Sequence, residues 1–107
     1  MVHSLGVGMR DKLFAAVRHG KLKPGMAGEY AKRMETGALP IMKKMDGFKD
    51  YHLIVGADDT VVAVSLFADQ AAAEAATQTM MAWVKVNLGP LLAAPLAAVE
   101  GTVVVAA

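Results

Sequence analysis

Apolar residues run almost without interruption on both sides of a short polar turn near the middle of the chain. In the segment KDYHLIVGADDTVVAVSLFAD, residues 49–69, this turn is GADDT, residues 56–60. A strand at the surface of a half-solvated sheet alternates apolar and polar residues. The second strand is instead apolar in both alternating sets, with Val61, Ala63, Ser65 and Phe67 in one and Val62, Val64 and Leu66 in the other. The pattern predicts a β-hairpin of strands 48–55 and 60–67 that is covered on both faces.

The chain before this hairpin predicts one strand and one helix. The run LFAAV, residues 13–17, is typical of a short strand that is buried on both faces. Residues 23–25, KPG, end that strand and lead into a helix over residues 26–45. Its predicted inward stripe, at spacings near 3.6 residues, is Tyr30, Met34, Ile41 and Met45. A kink is expected at Pro40, which lacks a backbone donor.

The chain after the hairpin predicts a second helix and a last strand. Asp69 is well placed to cap a helix that begins at Gln70 and ends before Gly89 and Pro90. The segment VEGTVVVAA, residues 99–107, predicts the last strand. The element order βαββαβ predicts an α+β, ferredoxin-like fold, in which a four-stranded antiparallel sheet carries both helices on one face.

The second face of this sheet has no cover from its own chain. Leaving apolar strands in water would expose a patch larger than monomers usually tolerate. Stacking two such sheets buries that surface, so the pattern predicts a homodimer that packs sheet to sheet about a two-fold axis, forming an α+β barrel.

The composition favours burial of the excess apolar surface against a partner chain, and the sequence does not favour burial in a membrane. The 107 residues suit a single domain, predicted over residues 12–107 after a loose arm at residues 1–11, and 55% of them are hydrophobic. The longest uncharged apolar stretch, residues 88–99, is interrupted by Gly89, Pro90 and Pro95, whereas a spanning helix needs about 20 residues. The chain has no cysteine and no secretory signal, which favours the cytoplasm. A net charge of +1 does not favour nucleic-acid binding.

The order of four segments between Lys12 and Val105 resembles the dimeric α+β barrel superfamily, in particular its antibiotic-biosynthesis monooxygenase branch. These segments are AAVRHGKLKPG, LPIMKKMDGFKDYHLIV, VVAVSLFADQAAAEAA with the later WV, and VEGTVVV. The resemblance implies a pocket in each protomer between the helices and the sheet. The superfamily includes cofactor-free oxygenases, haem-degrading enzymes, lactone isomerases and members without known activity.

The candidate site residues are those that would line or serve this pocket. Substrate-binding candidates are Tyr30, Met34, Tyr51, Phe67, Met80 and Trp83. His52 is the candidate general base, because imidazole titrates near neutral pH, and Arg18 is the candidate anion stabiliser. A methionine and aromatic stripe at helical spacing is also typical of an ordinary core, and His52 of a core or interface histidine. Alternation leaves open whether His52 or its neighbours Tyr51 and Leu53 face the pocket.

Metal and cofactor sites are not expected. The three histidines lie far apart on different elements, and the sequence has no paired-carboxylate or HxxxH pattern. The haem-degrading relatives are expected to carry a histidine on the second helix, and residues 71–84 contain none.

The sequence and the family resemblance leave two main candidate functions. The first is a cofactor-independent monooxygenase that acts on an aromatic or polyketide-like small molecule. The alternative is a non-catalytic dimer that binds a small apolar or aromatic ligand or serves a stress-related role. A lactone isomerase-like enzyme is a third hypothesis, but the sequence offers no acid and base that are expected to meet in one site.

Overall fold

A four-stranded antiparallel sheet, with strand order β2-β3-β1-β4, carries all the helices on one face. The structure, a computed structural model, describes residues 12–107. Its strands and helices are β1 Phe14–Lys21, α1 Ala27–Arg33, α2 Leu39–Lys43, β2 Phe48–Val55, β3 Thr60–Phe67, α3 Gln70–Asn87 and β4 Ala97–Thr102. A π-helical turn, Met34–Ala38, joins α1 to α2, and a 3-10 turn, Gly89–Leu91, follows α3. The predicted ferredoxin-like βαββαβ arrangement is confirmed, whereas the predicted arm at residues 1–11 lies outside the described residues.

The register of the strands assigns each side chain to one of the two faces. Tyr51 pairs with Ser65, Ser65 with Ala16, and Ala16 with Glu100. Directly opposed residues point to the same side of a sheet, so these four positions form one row across it. This row lies on the face that carries the helices, because Ala16 is buried and the inward residues of β3 pack there.

The opposite face carries the alternate residues of the same strands. Its corresponding row is His52, Val64, Val17 and Val99. No helix of the described chain lies on this side, and Val99 is 61% exposed. Residues 12–107 therefore cover only one face of the sheet.

Two strand bounds differ from the sequence-based prediction. β1 continues to Lys21 instead of ending at Val17, because it lies between β3 and β4 and pairs with β3 along its whole length. The polar residues among positions 18–21 do not end β1, because its pairing with β3 continues through them. β4 runs over Ala97–Thr102, earlier than the predicted 99–107, because its register is determined by β1. The predicted bounds of β2 and β3 are confirmed.

The first helical segment departs from the predicted inward stripe at Ile41, whereas Met45 packs against the buried cluster around Phe67. The buried residues of the segment are Tyr30, Met34, Ala38 and Met42, a spacing of four, whereas Ile41 is 36% exposed. The reason is the π-helical turn, in which backbone bonds span five residues and each turn takes more residues than in an α-helix. The Leu39 N–H accordingly donates to the Met34 carbonyl, immediately before Pro40. The irregularity expected at Pro40 is therefore a π-helical turn that precedes it.

Helix α3 packs against this irregular segment and begins as predicted. The Asp69 carboxylate accepts a hydrogen bond of 2.8 Å from the Ala72 N–H, which confirms the cap. The Trp83 ring lies directly over Gly37 in the π-helical turn, so closely that a Cβ at Gly37 would overlap it. Gly37 therefore permits the contact between the two helical segments.

Replacing Gly37 by alanine should destabilise the protein by about 1–3 kcal/mol, because the new methyl group has to displace the Trp83 ring. Gly28 is the matched control, since it lies in α1 and nothing lies within 4 Å of a Cβ there. Gly28→Ala should stabilise by up to about 1 kcal/mol through helix propensity. Urea unfolding measures both changes, and equal effects of the two substitutions would contradict the packing assignment.

Candidate functional site

A cavity of about 690 Å³ lies between the helices and the covered face of the sheet. The sheet contributes Ala16, Arg18, Tyr51, Ala63, Ser65 and Phe67, and the helices contribute Tyr30, Met34, Met42, Ala76, Thr77, Met80, Met81, Val84 and Lys85. Residues 88–89 and 92–96 complete the wall. The exposed members of the lining, among them Met81, Lys85 and Pro95, mark its opening. Small-molecule sites usually have volumes of roughly 300–1,000 Å³.

Small side chains at the centre of the sheet create this space. Ala16, Ala63 and Ser65 lie on adjacent central strands and form the floor. Ala76 provides a small side chain on the helix above them. Larger residues at these positions would fill the gap between the layers, so the cavity follows from residue size.

Tyr51 belongs to the lining and carries an unsatisfied hydroxyl group. Its hydroxyl oxygen is buried and has no hydrogen-bond partner among the described residues. Burial raises the pKa of Tyr51 far above the ordinary tyrosine value, and the neighbouring Tyr30 raises it further. Burial also raises the pKa of Tyr30. Tyr51 is therefore a neutral hydrogen-bond donor near pH 7, and leaving such a group unpaired costs about 1–3 kcal/mol.

Arg18 lies at the other side of the lining and joins three elements. Its Nη2 donates to Glu100 Oε2 at 2.7 Å and to Thr77 Oγ1 at 3.3 Å. These contacts connect β1 with β4 and with α3, and the Arg18 side chain retains 26% exposure. Arg18 thus places a permanent positive charge at the cavity wall.

His52 lies away from the cavity. It follows Tyr51 on β2 and therefore points to the opposite face of the sheet, where its side chain is 59% exposed. Its Nε2 lies 3.0 Å from Asp50 Oδ2. This placement separates His52 from the cavity of its own chain, and Tyr51 takes the inward position.

Trp83 also lies outside the lining, because its ring packs on Gly37. The structure brings the other six predicted site residues together in one wall: Arg18, Tyr30, Met34, Tyr51, Phe67 and Met80.

Sequence reasoning missed three polar residues of the lining, Ser65, Thr77 and Lys85, and also Glu100, which contacts Arg18 from outside the lining. Ser65 carried a usable signal, since it is the one hydroxyl within the apolar run of β3. Glu100 carried none, because its contact with Arg18 depends on the pairing of β1 with β4 across 82 positions of sequence.

Within residues 12–107, no three His, Asp or Glu side chains lie close enough together to hold one metal ion. None of the helices described is both long enough and apolar enough to cross a membrane.

The sequence of the segment that forms most of this site matches a model of one protein family. Residues 13–82 match the family model described as antibiotic biosynthesis monooxygenase. The chain belongs to this family. The matched range runs from the residue before β1 into α3 and so contains most of the cavity wall.

Solved structures share the fold across nearly the whole chain. A protein of unknown function from Nitrosomonas europaea is 21% identical, with a TM-score of 0.78 over 92% of this chain and 95% of its own. A monooxygenase from the ActVA-Orf6 gene of Streptomyces coelicolor, solved with the ligand nanaomycin D, is 20% identical, with a TM-score of 0.75 over 88% and 89%. Rv0793 from Mycobacterium tuberculosis is 15% identical, with a TM-score of 0.73 over 89% and 98%. No curated protein matches the sequence significantly.

Because the pKa of Tyr51 is raised in the folded protein, the free energy of unfolding should fall as the pH becomes alkaline. An unfolded tyrosine ionises near pH 10, while the folded one retains its proton, so unfolding releases a proton above that pH. Stabilisation by the neutral tyrosine is complete below about pH 10 and is lost as the pH rises above it, by about 1.4 kcal/mol per pH unit. In urea unfolding between pH 9 and 11.5, Tyr51→Phe should therefore lose stability less steeply than the wild type. Parallel slopes would contradict the buried neutral hydroxyl group.

Proposed function

We propose that this protein is a monooxygenase that works without a bound cofactor on an aromatic or polyketide-like small molecule held in the cavity. The observation that carries the proposal is an apolar cavity of ligand size whose lining includes Tyr51, a residue with a buried hydroxyl group that has no partner in the described chain. Membership of the antibiotic biosynthesis monooxygenase family supports the reaction class. The Streptomyces coelicolor neighbour, a monooxygenase solved with nanaomycin D, supports the substrate class.

The chemistry requires a substrate that can itself reduce dioxygen. A carbon acid of the anthrone type loses a proton to solvent at the opening of the cavity, and its anion gives one electron to O₂. The resulting radical and superoxide combine to form a C–O bond, the peroxide anion takes up a proton from solvent, and the hydroperoxide loses water to leave a carbonyl group. A CH₂ group and O₂ thereby become C=O and H₂O, with no external reductant. The protein has to stabilise the anion and exclude water.

Tyr51 and Arg18 fit these two requirements. Tyr51 can donate a hydrogen bond to an oxyanion in a water-poor site, where such a bond is strong. Arg18 adds a positive charge at the opposite side of the lining. The ionisable side chains of the described lining are Arg18, Tyr30, Tyr51 and Lys85, and none is an ordinary base at neutral pH. The substrate should therefore be a compound that ionises readily once its anion is stabilised.

A non-catalytic ligand-binding role is the second candidate, and the same lining favours it. Four methionines, Met34, Met42, Met80 and Met81, contribute flexible apolar walls that adapt to different ligands. A wall of this kind binds apolar molecules without needing a base.

Oxygen uptake with anthrone distinguishes the two candidates. The wild type should accelerate uptake, and Tyr51→Phe should lower kcat/KM by about 100-fold, since it removes one donor to the oxyanion. His52→Gln should change kcat/KM by no more than about twofold, because that side chain lies outside the cavity. Uptake no faster than the buffer reaction, combined with tight binding of the same compound, would favour the binding role. Loss of activity in His52→Gln alone would restore His52 as the base.

We further propose that the protein is a homodimer whose uncovered sheet faces pack against each other. The face contains apolar side chains from all four strands, among them Ile54, Val64, Val17 and Val99. Ile54 and Val99 are 55% and 61% exposed in the single chain, whereas large residues of this type are usually buried. A second copy supplies the same apolar surface in a self-complementary arrangement.

Val99→Asp tests this assembly, with Val86→Asp as the control. Val86 is also exposed, at 74%, but lies on α3 away from the sheet face. A two-fold interface would bury two copies of the Val99→Asp charge, so the dimer dissociation constant should rise by about 100-fold or more. Val86→Asp should leave it unchanged. Sedimentation velocity at micromolar concentration measures both, and a monomeric wild type would contradict the proposal.

A further inference from the structure

The charges of the cavity wall are unbalanced. Arg18 and Lys85 are the charged residues of the described lining, and no carboxylate belongs to it. Glu100 reaches Arg18 from β4 but lies outside this lining. Glu100 compensates the charge of Arg18, whereas Lys85 has no ion-pair partner among residues 12–107, so a neutral ligand would leave one net positive charge at the wall. An anionic group on the ligand would balance that charge in a site that is partly shielded from water.

Arg18 has hydrogen-bonding capacity to spare. A guanidinium group carries five N–H donors in a planar fork. The short contact with Glu100 and the 3.3 Å contact with Thr77 both use Nη2, while Nη1 makes one contact of 3.4 Å to the Val17 carbonyl. Nε has no partner among residues 12–107. Arg18 can therefore donate to a ligand carboxylate, and it can do so through two N–H groups once Glu100 releases Nη2.

Glu100 is a partner that can be displaced. It lies on the edge strand β4, its side chain is 34% exposed, and Arg18 is its one ion-pair partner among the described residues. An exposed carboxylate loses little when it returns to water. Glu100 thus fills the place that a ligand carboxylate would take.

The spacing of the two polar regions suits an elongated ligand. Tyr51 lies on β2 and Arg18 on β1, with β3 between them. Neighbouring strands are about 4.8 Å apart, and Tyr51 and Arg18 are offset by two residues along the strands, so the two positions are separated by roughly 12 Å. The small side chains of Ala16, Ala63 and Ser65 form the floor near them.

We propose that the cavity selects an aromatic carboxylic acid, with its carboxylate on Arg18 and its ring system over the Ala63 floor. Lys85 strengthens the attraction at the opening, and Glu100 occupies Arg18 until the ligand arrives. This inference rests on the proposed small-molecule function of the cavity and adds the ligand's charge and its orientation.

Calorimetric titration with two matched compounds tests the proposal. Anthraquinone-2-carboxylate carries the acid, and 2-(hydroxymethyl)anthraquinone is its neutral counterpart. The wild type should bind the acid about tenfold more tightly than the alcohol, the effect of one charge-assisted hydrogen-bonded contact. Arg18→Met should abolish this preference, while its affinity for the alcohol stays within about twofold and reports a folded cavity.

Three further variants separate direct contact from general electrostatics. Glu100→Gln should strengthen binding of the acid, but not of the alcohol, because the competing carboxylate is gone. The double variant Arg18→Met with Glu100→Gln should show no preference. If the preference returns there, Arg18 acts only by neutralising Glu100, and the proposed contact is wrong. Lys44→Gln removes one exposed positive charge outside the cavity and should leave the preference intact.

The outcomes also distinguish this proposal from the proposed function. Equal binding of acid and alcohol by the wild type overturns the carboxylate site and leaves the ligand-binding cavity intact. Failure to bind either compound overturns both.

Discussion

The structure depends on one constraint: a β-strand sends successive side chains to opposite faces, and the helices within residues 12–107 cover only one of those faces. Tyr51 and His52 are neighbours in sequence, yet this alternation separates them completely. Tyr51 joins the cavity wall, and His52 joins the face without helices. Each proposal about catalysis and assembly follows from that separation.

The covered face carries both a closely packed core and the cavity. Around Leu22, Val61, Leu88 and Leu91, large side chains pack fully and hold the helices in place. Over the centre of the sheet, the small residues of β1 and β3 leave space instead. Since cores are normally packed to crystal-like density, a gap of this size whose lining includes a tyrosine with an unsatisfied hydroxyl group is better explained by a ligand than by folding.

Local signals in the sequence predicted much of the fold. The bounds of β2 and β3 follow from the GADDT turn, and the start of α3 follows from Asp69, because a turn and a cap act within a few residues. The end of β1 and the place of β4 depend on pairing between strands, which no short segment encodes. The stripe of the first helical segment shifted because the π-helical turn changes the number of residues per turn.

The site was less predictable for a related physical reason. When a strand is apolar on both faces, its sequence does not indicate which face packs against the helices. The sequence therefore could not predict whether Tyr51 or His52 faces the cavity. The Arg18 and Glu100 pair depends on the register between β1 and β4. Methionine and aromatic positions were easier to predict, because helix periodicity and size place them near the core whichever face of the sheet is covered.

Nuclear magnetic resonance of the side chains of Tyr51 and His52 tests the separation of the two faces most directly. The protein would be labelled with ¹³C in its tyrosine and histidine rings and titrated with 2-(hydroxymethyl)anthraquinone. The account predicts that the Tyr51 ring signals shift progressively to saturation while the His52 imidazole signals keep their positions. Shifts at His52 with unchanged Tyr51 signals would place the ligand on the other face and contradict the account.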